Sequence, residues 1–536
     1  MKKNNAFRRA AALMAALSIT VSLAAPAFAD TYYIDYGDIT ITKNEDGSQT
    51  IEQGGDKWTD KAGEETVITT SNTVITTLES DLEGPAAEDS GFGPVVEDNY
   101  QPAQPEDAEK PEGADQPEST EKSEDADRQE SADQQAAPAA APAASTPKND
   151  KGNGFWGNTI TVINNFANTV LNLTLKDVKI DVSDTGGQTG IPEKAALSVQ
   201  GKGNVEIELD GKNELKSDVL RAGLEKTSTG TLTLKDDNNE ASSLTATGGF
   251  NSAGIGGGYL GDGKNITITG GTVNVTGGDN GGAGIGGGAE GGGGNNITIK
   301  GGTVTATGGG YRGTGGAGIG GGSSGSGENI TINGGKVTAT GGSYAAGIGG
   351  GSVGFWGGES GSGKNITING GTVNATGTDG GAGIGGGENG NGEDITINGG
   401  KVNASGAYGG AGIGGGVNGI GSKVTVSGAA QVTATVSKSN RIYYYGTGAT
   451  IGNGGNQTPD GELVDGKEIQ ADISGVTTGY IHHIIYEQDG TTIKREWWEP
   501  VRPQPTPALS APASMWKRWR ATPCPLTPSS RAAPCG

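Results

Sequence analysis

The chain has 536 residues, of which 103 are glycine and two are cysteine, and its formal net charge is −23. Glycine at this share without a three-residue period excludes a collagen helix, and the acidic balance argues against a nucleic-acid partner. Both cysteines, Cys524 and Cys535, lie close to the C-terminus, so disulfides cannot hold the body of the chain together.

The N-terminus is typical of a secretory signal peptide. Basic residues at 2, 3, 8 and 9 precede an apolar stretch over 10–25, and Ala27-Phe28-Ala29 forms an A-x-A cleavage site. We therefore expect residues 1–29 to be removed and the mature protein to be secreted or held at the cell surface. No later stretch reaches the roughly eighteen apolar residues that a membrane span needs, so no membrane insertion is expected.

Two segments of opposite character follow the signal peptide. Residues 30–82 are β-rich, and Asp46-Gly47 between two alternating runs predicts a hairpin. Whether this piece docks as a first coil is left open by the sequence. Residues 83–150 carry 18 acidic and 4 basic side chains with almost no apolar content, which predicts an extended, disordered linker or insertion.

The centre of the chain is an internal repeat. The block Ala-Gly-Ile-Gly-Gly-Gly recurs with its isoleucine at 255, 285, 319, 348, 384 and 413. A second block recurs between these copies: NITITGGTVNVTGG from Asn265, NITIKGGTVTATGG from Asn296, NITINGGKVTATGG from Asn329, NITINGGTVNATG from Asn365 and DITINGGKVNASG from Asp394. Weaker copies on both sides extend the series, which is the signature of a repeat architecture.

Each repeat contains two runs with the two-residue period of a β-strand, separated by Gly-Gly, and a short Ala-Gly-Ile run. We predict a right-handed parallel β-helix over 151–456, with about nine coils of three strands stacked at ~4.8 Å. Stacking places isoleucine on isoleucine in the core and leaves threonine and asparagine outside. A small β-rich segment over 457–500 follows, and the proline-rich basic tail 501–536 resembles a frameshifted end.

These repeats resemble exported proteins of Firmicutes that carry AGIGGG and NITIxGGxVxATGG blocks. They are similar to the clostridial carbohydrate-binding β-helix proteins, whose fold is shared with pectate lyases. The resemblance covers roughly 159–455 and implies a β-helix that binds cellulose-like or pectin-like polysaccharide. Relatives are associated with calcium, but their metal-binding carboxylates do not match positions here, so we expect no cofactor and regard calcium as unsupported by a motif.

The candidate binding residues fall into two groups. Outward threonine and asparagine ladders offer repeating hydroxyl and amide groups to a polymer with its own repeat: Thr267, Thr298, Thr331, Thr367, Thr396, Asn274, Asn374 and Asn403. Loop aromatics offer rings to the apolar face of a sugar or cover the coil edges: Tyr259, Tyr311, Tyr344, Trp356 and Tyr408. Of these, Trp356 is the strongest single candidate.

Catalytic and metal sites find little support in the pattern. No helix or Lys-Ser/Thr pair follows any glycine block, so these are coil corners and not phosphate loops. His482 and His483 are adjacent on a predicted strand and face opposite sides, so they cannot form a metal pair. The least unfavourable place for a lyase or hydrolase is the irregular region around Asp181, Asp184, Glu206 and Glu208.

The sequence thus predicts a monomeric, non-catalytic protein that binds polysaccharide or a cell-surface glycan. Three alternatives stay open. One is a structural stalk or protein-binding adhesin, the second is the lyase or hydrolase above, and the third is ice binding by threonine arrays. Asparagine interrupts some threonine columns, which argues against ice.

Overall fold

In the computed structural model, the described residues are 30–70, 149–184, 194–238, 241–354, 359–437 and 445–500. The predicted signal peptide, all but the last two residues of the acidic segment, and the tail 501–536 lie outside the described residues. Over the described ranges the chain is all-β, and the one helical element there is a 3-10 turn, Ile34–Tyr36.

The molecule is a parallel β-solenoid of about ten turns built from three long sheets, close to the nine coils predicted. Sheet A has eleven strands, all paired in parallel. From the N-terminal end they are Asp30–Tyr33, Thr66–Thr69, Val170–Lys176, Asn204–Asp210, Leu232–Lys235, Gly263–Ile268, Gly294–Ile299, Gly327–Ile332, Gly363–Ile368, Gly392–Ile397 and Gly421–Val426.

Sheets B and C have thirteen strands each. Sheet B contains Asp56–Asp60, Gln49–Gln53, Ile39–Lys43, Ile160–Asn164, Leu197–Gly201, Leu224–Lys226, Ile255–Gly256, Ile285–Gly286, Ile319–Gly320, Ile348–Gly349, Ile384–Gly385, Ile413–Gly414 and Ile451–Gly452. Sheet C contains Asp150–Gly152, Phe155–Trp156, Lys179–Asp181, Lys212–Lys216, Ser243–Thr247, Thr272–Thr276, Thr303–Thr307, Lys336–Thr340, Thr372–Thr376, Lys401–Gly406, Gln431–Ser437, Tyr480–Tyr486 and Ile493–Glu499. Two small hairpins complete the strands: Gly310–Tyr311 with Thr314–Gly315, and Asn456–Gln457 with Leu463–Val464.

Identical residues stack in register from coil to coil. In sheet A, Ile297 pairs with Ile330, and in sheet C, Val304 pairs with Val337. In sheet B, Ile285 pairs with Ile319. These isoleucine and valine side chains are fully buried, so each coil contributes one layer to a continuous core, as the alternating pattern predicted.

Glycine in sheet B is required by the close approach of successive coils. Gly320 has φ +139°, and a Cβ there would lie 2.0 Å from the carbonyl oxygen of Gly349 in the next coil. Any side chain at this position would collide with backbone, which cannot move aside without opening the stack. The Ala-Gly-Ile-Gly-Gly-Gly block is therefore a stacking corner.

Both predicted flanking segments join the solenoid where they are described. Thr66–Thr69 pairs in parallel with Val170–Lys176, and Ile39–Lys43 pairs with Ile160–Asn164. Ile39–Lys43 and Gln49–Gln53 form the hairpin predicted at Asp46-Gly47. At the other end Tyr480–Tyr486 continues sheet C. Antiparallel strands then close sheets B and C, so the parallel stack ends in hairpins.

Candidate functional site

The outer face of sheet A carries a continuous row of threonines. Each lies between two buried leucine, isoleucine or valine residues of its strand, so its side chain points outward and is half-buried. Coil-to-coil register aligns seven of them, which we call the threonine row: Thr233, Thr267, Thr298, Thr331, Thr367, Thr396 and Thr425. Among the described residues, none of these hydroxyls makes a side-chain hydrogen bond.

Asparagine rows flank the threonine row on both sides. On one side, the Asn398 amide donates to Asn369 at 2.8 Å, and Asn369 donates to Asn333 at 2.8 Å. On the other side, Asn296 donates to Asn265 at 3.0 Å. These bonds run along the solenoid, so the amides are fixed in position while each keeps further hydrogen-bonding capacity.

The backbone conformation favours asparagine at the first position of each sheet-A repeat. Asn265, Asn296, Asn329 and Asn365 have φ between +53° and +57°, in the left-handed region that asparagine tolerates better than most residues. The asparagine at the start of these repeats is therefore explained by strand entry and by the amide ladder.

The asparagines predicted as a second ladder lie on a different sheet. Asn274, Asn374 and Asn403 are half-buried on the outer face of sheet C. Asn403 donates to Asn374 at 2.8 Å, but Thr305 and Thr338 stand between Asn274 and Asn374 in the column. Sheet C therefore has a mixed row, in contrast to sheet A.

The candidate tyrosines lie on neither sheet face. Tyr311, Tyr344 and Tyr408 occupy the turns from sheet C to sheet B, whereas Tyr259 occupies a turn from sheet B to sheet A. Tyr311 is 46% exposed, and the Arg312 guanidinium lies 4.9 Å from its ring centroid. The other three are half-buried. Trp356, the strongest single candidate from sequence, lies outside the described residues.

The predicted binding residues therefore occupy three surfaces. The threonines lie on sheet A, the asparagines on sheet C, and the tyrosines in the turns that flank sheet B. A single ligand cannot be assumed to contact all three. Sheet A carries a row made only of threonine, and sheet C carries a second in-register row of hydroxyls beside its mixed row: Thr247, Thr276, Thr307, Thr340, Thr376, Ser405 and Thr435.

The irregular coils carry charges on the same outer face of sheet A. Glu208 is 8% exposed, accepts the Asp237 backbone N–H at 2.7 Å, and its other oxygen lies 3.5 Å from the Lys235 ammonium. A cleft of about 570 Å³ contains these groups together with Lys176 and Asp210, which are paired at 2.9 Å. This part of sheet A is ion-paired, whereas the threonine row beyond it is neutral and the row that contains Asn365 ends in one ion pair, Asp394 with Lys423 at 3.2 Å.

The four carboxylates named as the least unfavourable catalytic place are divided between two sheets. Glu206 and Glu208 lie on sheet A, whereas Asp181 lies on sheet C, 3.2 Å from Lys216, and Asp184 follows that strand, 2.6 Å from Lys151. The structure does not bring the four together. Among the described residues, no group of three or more His, Cys, Asp or Glu side chains is arranged to hold a metal ion.

A second buried polar cluster lies at the C-terminal end. His483 is 3% exposed, and its Nδ1 lies 2.7 Å from the Thr450 hydroxyl, which also contacts Glu468 at 2.9 Å. Burial, with the nearby charges of His482 and Arg495, lowers the pKa of His483 to about 4. His482 stacks on Trp498 and His483 on Trp497, so the two histidines face opposite sides, as predicted. This cluster ties the last coil together.

One buried site was missed by the sequence reasoning. In the coil before the first glycine block, Glu225 and Lys226 stand where the repeat has Gly256 and Gly257. Lys226 is 2% exposed, and Glu225 is 3% exposed and paired with Arg221 at 2.9 Å. The signal was available, since charged residues replace glycine at a position where stacking otherwise excludes side chains.

A family model described as a beta helix repeat matches six segments of the chain: 242–259, 266–289, 297–323, 330–352, 366–388 and 395–417. The first segment spans the junction between the irregular and the regular coils and the other five lie in the regular coils, so the chain is a β-helix protein by sequence as well as by structure. No curated protein and no solved structure gives a significant match to the chain. No helix in the described part of the chain is long and apolar enough to cross a membrane.

Proposed function

We propose that this protein binds a polysaccharide or cell-surface glycan without catalysis, along the outer face of sheet A. The observation that carries the proposal is the threonine row, whose seven hydroxyls stand in register and hydrogen-bond to no described residue. A polymer with its own repeat can pair with a row of donors and acceptors that repeats at each coil.

The rigidity of this face supports the same proposal. Inter-coil amide bonds fix the asparagine rows on either side, and the isoleucine layers beneath hold each threonine in position. A surface that is already ordered loses little conformational entropy when a ligand binds. Export, a surface location and a monomeric state belong to this proposal, and the signal-peptide pattern supports export.

Paired substitutions on two sheets test the proposal. Thr331→Val and Thr367→Val together remove two hydroxyls from the threonine row with little change in side-chain volume. They should weaken glycan retention about fivefold to a hundredfold, since each neutral hydrogen bond contributes about 0.5–1.5 kcal/mol. The matched control carries Thr305→Val and Thr338→Val on sheet C and should bind as the unaltered protein does. The measurement is retention on glycan arrays and insoluble polysaccharides.

The tyrosine surface is tested separately with Tyr311→Ala. Because the turns lie away from the threonine row, we expect this variant to retain glycan binding. If Tyr311→Ala abolishes retention and the valine pair on sheet A does not, the binding surface is the turn edge and the proposal for sheet A is wrong. Absence of retention on every glycan would favour the stalk or protein-binding adhesin.

Ice binding is a second candidate that one observation favours. The threonine row on sheet A is uninterrupted by asparagine, so the objection raised by the sequence applies only to sheet C. Thermal hysteresis of the purified protein would decide between the two functions, because a polysaccharide-binding face alone would leave the freezing point of the solution unaffected. The same valine pair on sheet A would abolish hysteresis if ice were the ligand.

A further inference from the structure

Lys226 lies at the bottom of a cleft at the junction between the irregular and regular coils. The cleft, of about 360 Å³, is lined by Lys226, Thr227, Ser228, Thr229, Asp262 and Lys264 together with Asn265 and three glycines of the next coil. It opens beside Asn265, the first member of one asparagine row. The cleft is a polar recess, distinct from the flat threonine row.

The charge of Lys226 is not balanced within the described part of the chain. Its ammonium donates one hydrogen bond, to the Ser228 carbonyl oxygen at 2.7 Å, and no described carboxylate forms an ion pair with it. Burial is the cause that lowers the pKa of this lysine to about 8, so the side chain is mostly charged at neutral pH. Burying an ammonium without a counter-charge costs free energy, so an anion that binds beside Lys226 is stabilised by a strong electrostatic interaction.

A second polar group in the same cleft has no hydrogen-bond partner. Ser228 is 6% exposed, and among the described residues its hydroxyl makes no hydrogen bond. Buried polar groups in folded proteins are nearly always satisfied, so a hydroxyl without a hydrogen bond beside an ammonium without a counter-charge indicates a missing ligand atom. The acidic residue of the cleft is already engaged: Asp262 pairs with Lys264 at 2.6 Å and accepts the Gly293 N–H at 2.7 Å.

We propose that this cleft binds one anionic oxygen group, a carboxylate or a phosphate, held by the Lys226 ammonium and the Ser228 hydroxyl. The group can be carried by an acidic sugar or arrive as a free anion. This inference goes beyond glycan binding by the threonine row, since a neutral polymer would satisfy that row and leave the cleft empty. The site accounts for a charged residue in a column that has Val199 in the coil before and glycine in the coil after.

The test uses the exported chain and isothermal titration with sodium phosphate, sodium glucuronate and, as the neutral control, glucose. We expect saturable binding of at least one anion, no binding of glucose, and at least tenfold weaker binding to Lys226→Met. Lys300→Met, which removes an exposed lysine from a regular coil, should bind as the unaltered protein does. Saturation by glucuronate alone assigns the site to an acidic sugar, whereas saturation by phosphate assigns it to an anion without the sugar.

The pH dependence of anion binding and the reactivity of the lysine amines test the proposal further. Affinity should fall as the pH rises above about 8, where the free lysine loses its charge. The bound anion should also protect the Lys226 amine, but not that of Lys300, from acetylation followed by mass spectrometry. Because Lys226→Met removes a buried charge, its melting temperature should not fall. Failure of both anions to saturate the protein, or equal binding by Lys226→Met, overturns the proposal. Neither result depends on whether the threonine row binds glycan.

Discussion

The irregular coils before Gly249 and the regular coils after Ile255 use the same three-sheet plan with different surfaces. On sheet A, the column that holds threonine from Thr233 onward holds Asn172 and Glu206 in the two coils before it. The residue that follows the strand core is Lys235 in an irregular coil and asparagine at 333, 369 and 398. The core is the same, so stacking fixes the interior while the outer face is free to change chemistry.

In sheet B, by contrast, stacking restricts which residues the regular coils can have. The regular coils have Ile-Gly-Gly-Gly there, and the irregular coil has Leu224-Glu225-Lys226-Thr227. Glu225 pairs in register with Gly256, so a side chain is accommodated in one coil where the following coils exclude it. Glycine therefore allows the corners of the regular coils to stack closely. The coil that contains Glu225 and Lys226 has buried charged side chains at this corner instead.

The largest expected effect comes from breaking this glycine constraint. Gly320→Ala places a Cβ 2.0 Å from the Gly349 carbonyl oxygen in a backbone with φ +139°, so we expect about 4 kcal/mol or more of lost stability. Gly291→Ala is the matched control, because Gly291 has φ +103° but no atom within 4 Å of the added Cβ. The control should lose only about 1–2 kcal/mol from backbone strain. Denaturant unfolding followed by circular dichroism measures both, and equal losses would contradict the stacking explanation.

The sequence was sufficient for the regular coils because their constraints are local and repeated. Ile297 and Ile330 recur with the same neighbours, so alternation and period fixed both the strand faces and the stacking. The docking of Thr66–Thr69 against Val170–Lys176 depended on a pairing across about a hundred intervening residues, which no local pattern encodes. For the same reason, the sequence assigned binding residues without showing that turns and two sheets separate them.

The sequence pattern also did not show which charged side chains are buried. Lys226 and Lys300 are both lysines that break a repeat, yet one is 2% exposed and the other is exposed. Their difference follows from the sheet each residue occupies and the coil stacked upon it. Aligning the irregular copies with the glycine block would have singled out Glu225 and Lys226, since they are charged in a column that has Ser198 and Val199 in the coil before and glycine in the coil after.

The stability of the N-terminal end should depend on pH through a buried carboxyl group, Asp60. Asp60 is fully buried, and desolvation is the main cause that raises its pKa to about 6, assisted by Asp30 and opposed by hydrogen bonds from Thr66 and Tyr32. The folded state therefore holds this proton more tightly than the unfolded state. The resulting stabilisation is full below the unfolded pKa near 3.8 and is lost as the pH rises through about 6.

The measurement is the difference in unfolding free energy between the unaltered protein and Asp60→Asn from pH 4 to pH 7. A shift of this size corresponds to about 3 kcal/mol, and the difference between the two proteins should change by up to that amount over this range. Taking the difference removes contributions from carboxylates common to both proteins. A constant difference would show that Asp60 ionises as freely in the folded protein as in the unfolded chain.

The smallest effect sharpens the comparison between the two halves of sheet A. Lys235→Met leaves the Glu208 carboxylate, which is 8% exposed, without its ion-pair partner, so we expect a loss of about 1–3 kcal/mol. Lys300→Met changes the corresponding position of a regular coil, where the lysine is exposed and no described carboxylate pairs with it. That change should cost less than about 0.5 kcal/mol. Restoring stability to Lys235→Met by adding Glu208→Gln would identify the unpaired carboxylate as the cause, because the double variant removes the buried charge itself. If Lys235→Met and Lys300→Met unfold at the same denaturant concentration, the charged half of the sheet owes no stability to its ion pairs, and the two halves differ only in what they present to a ligand.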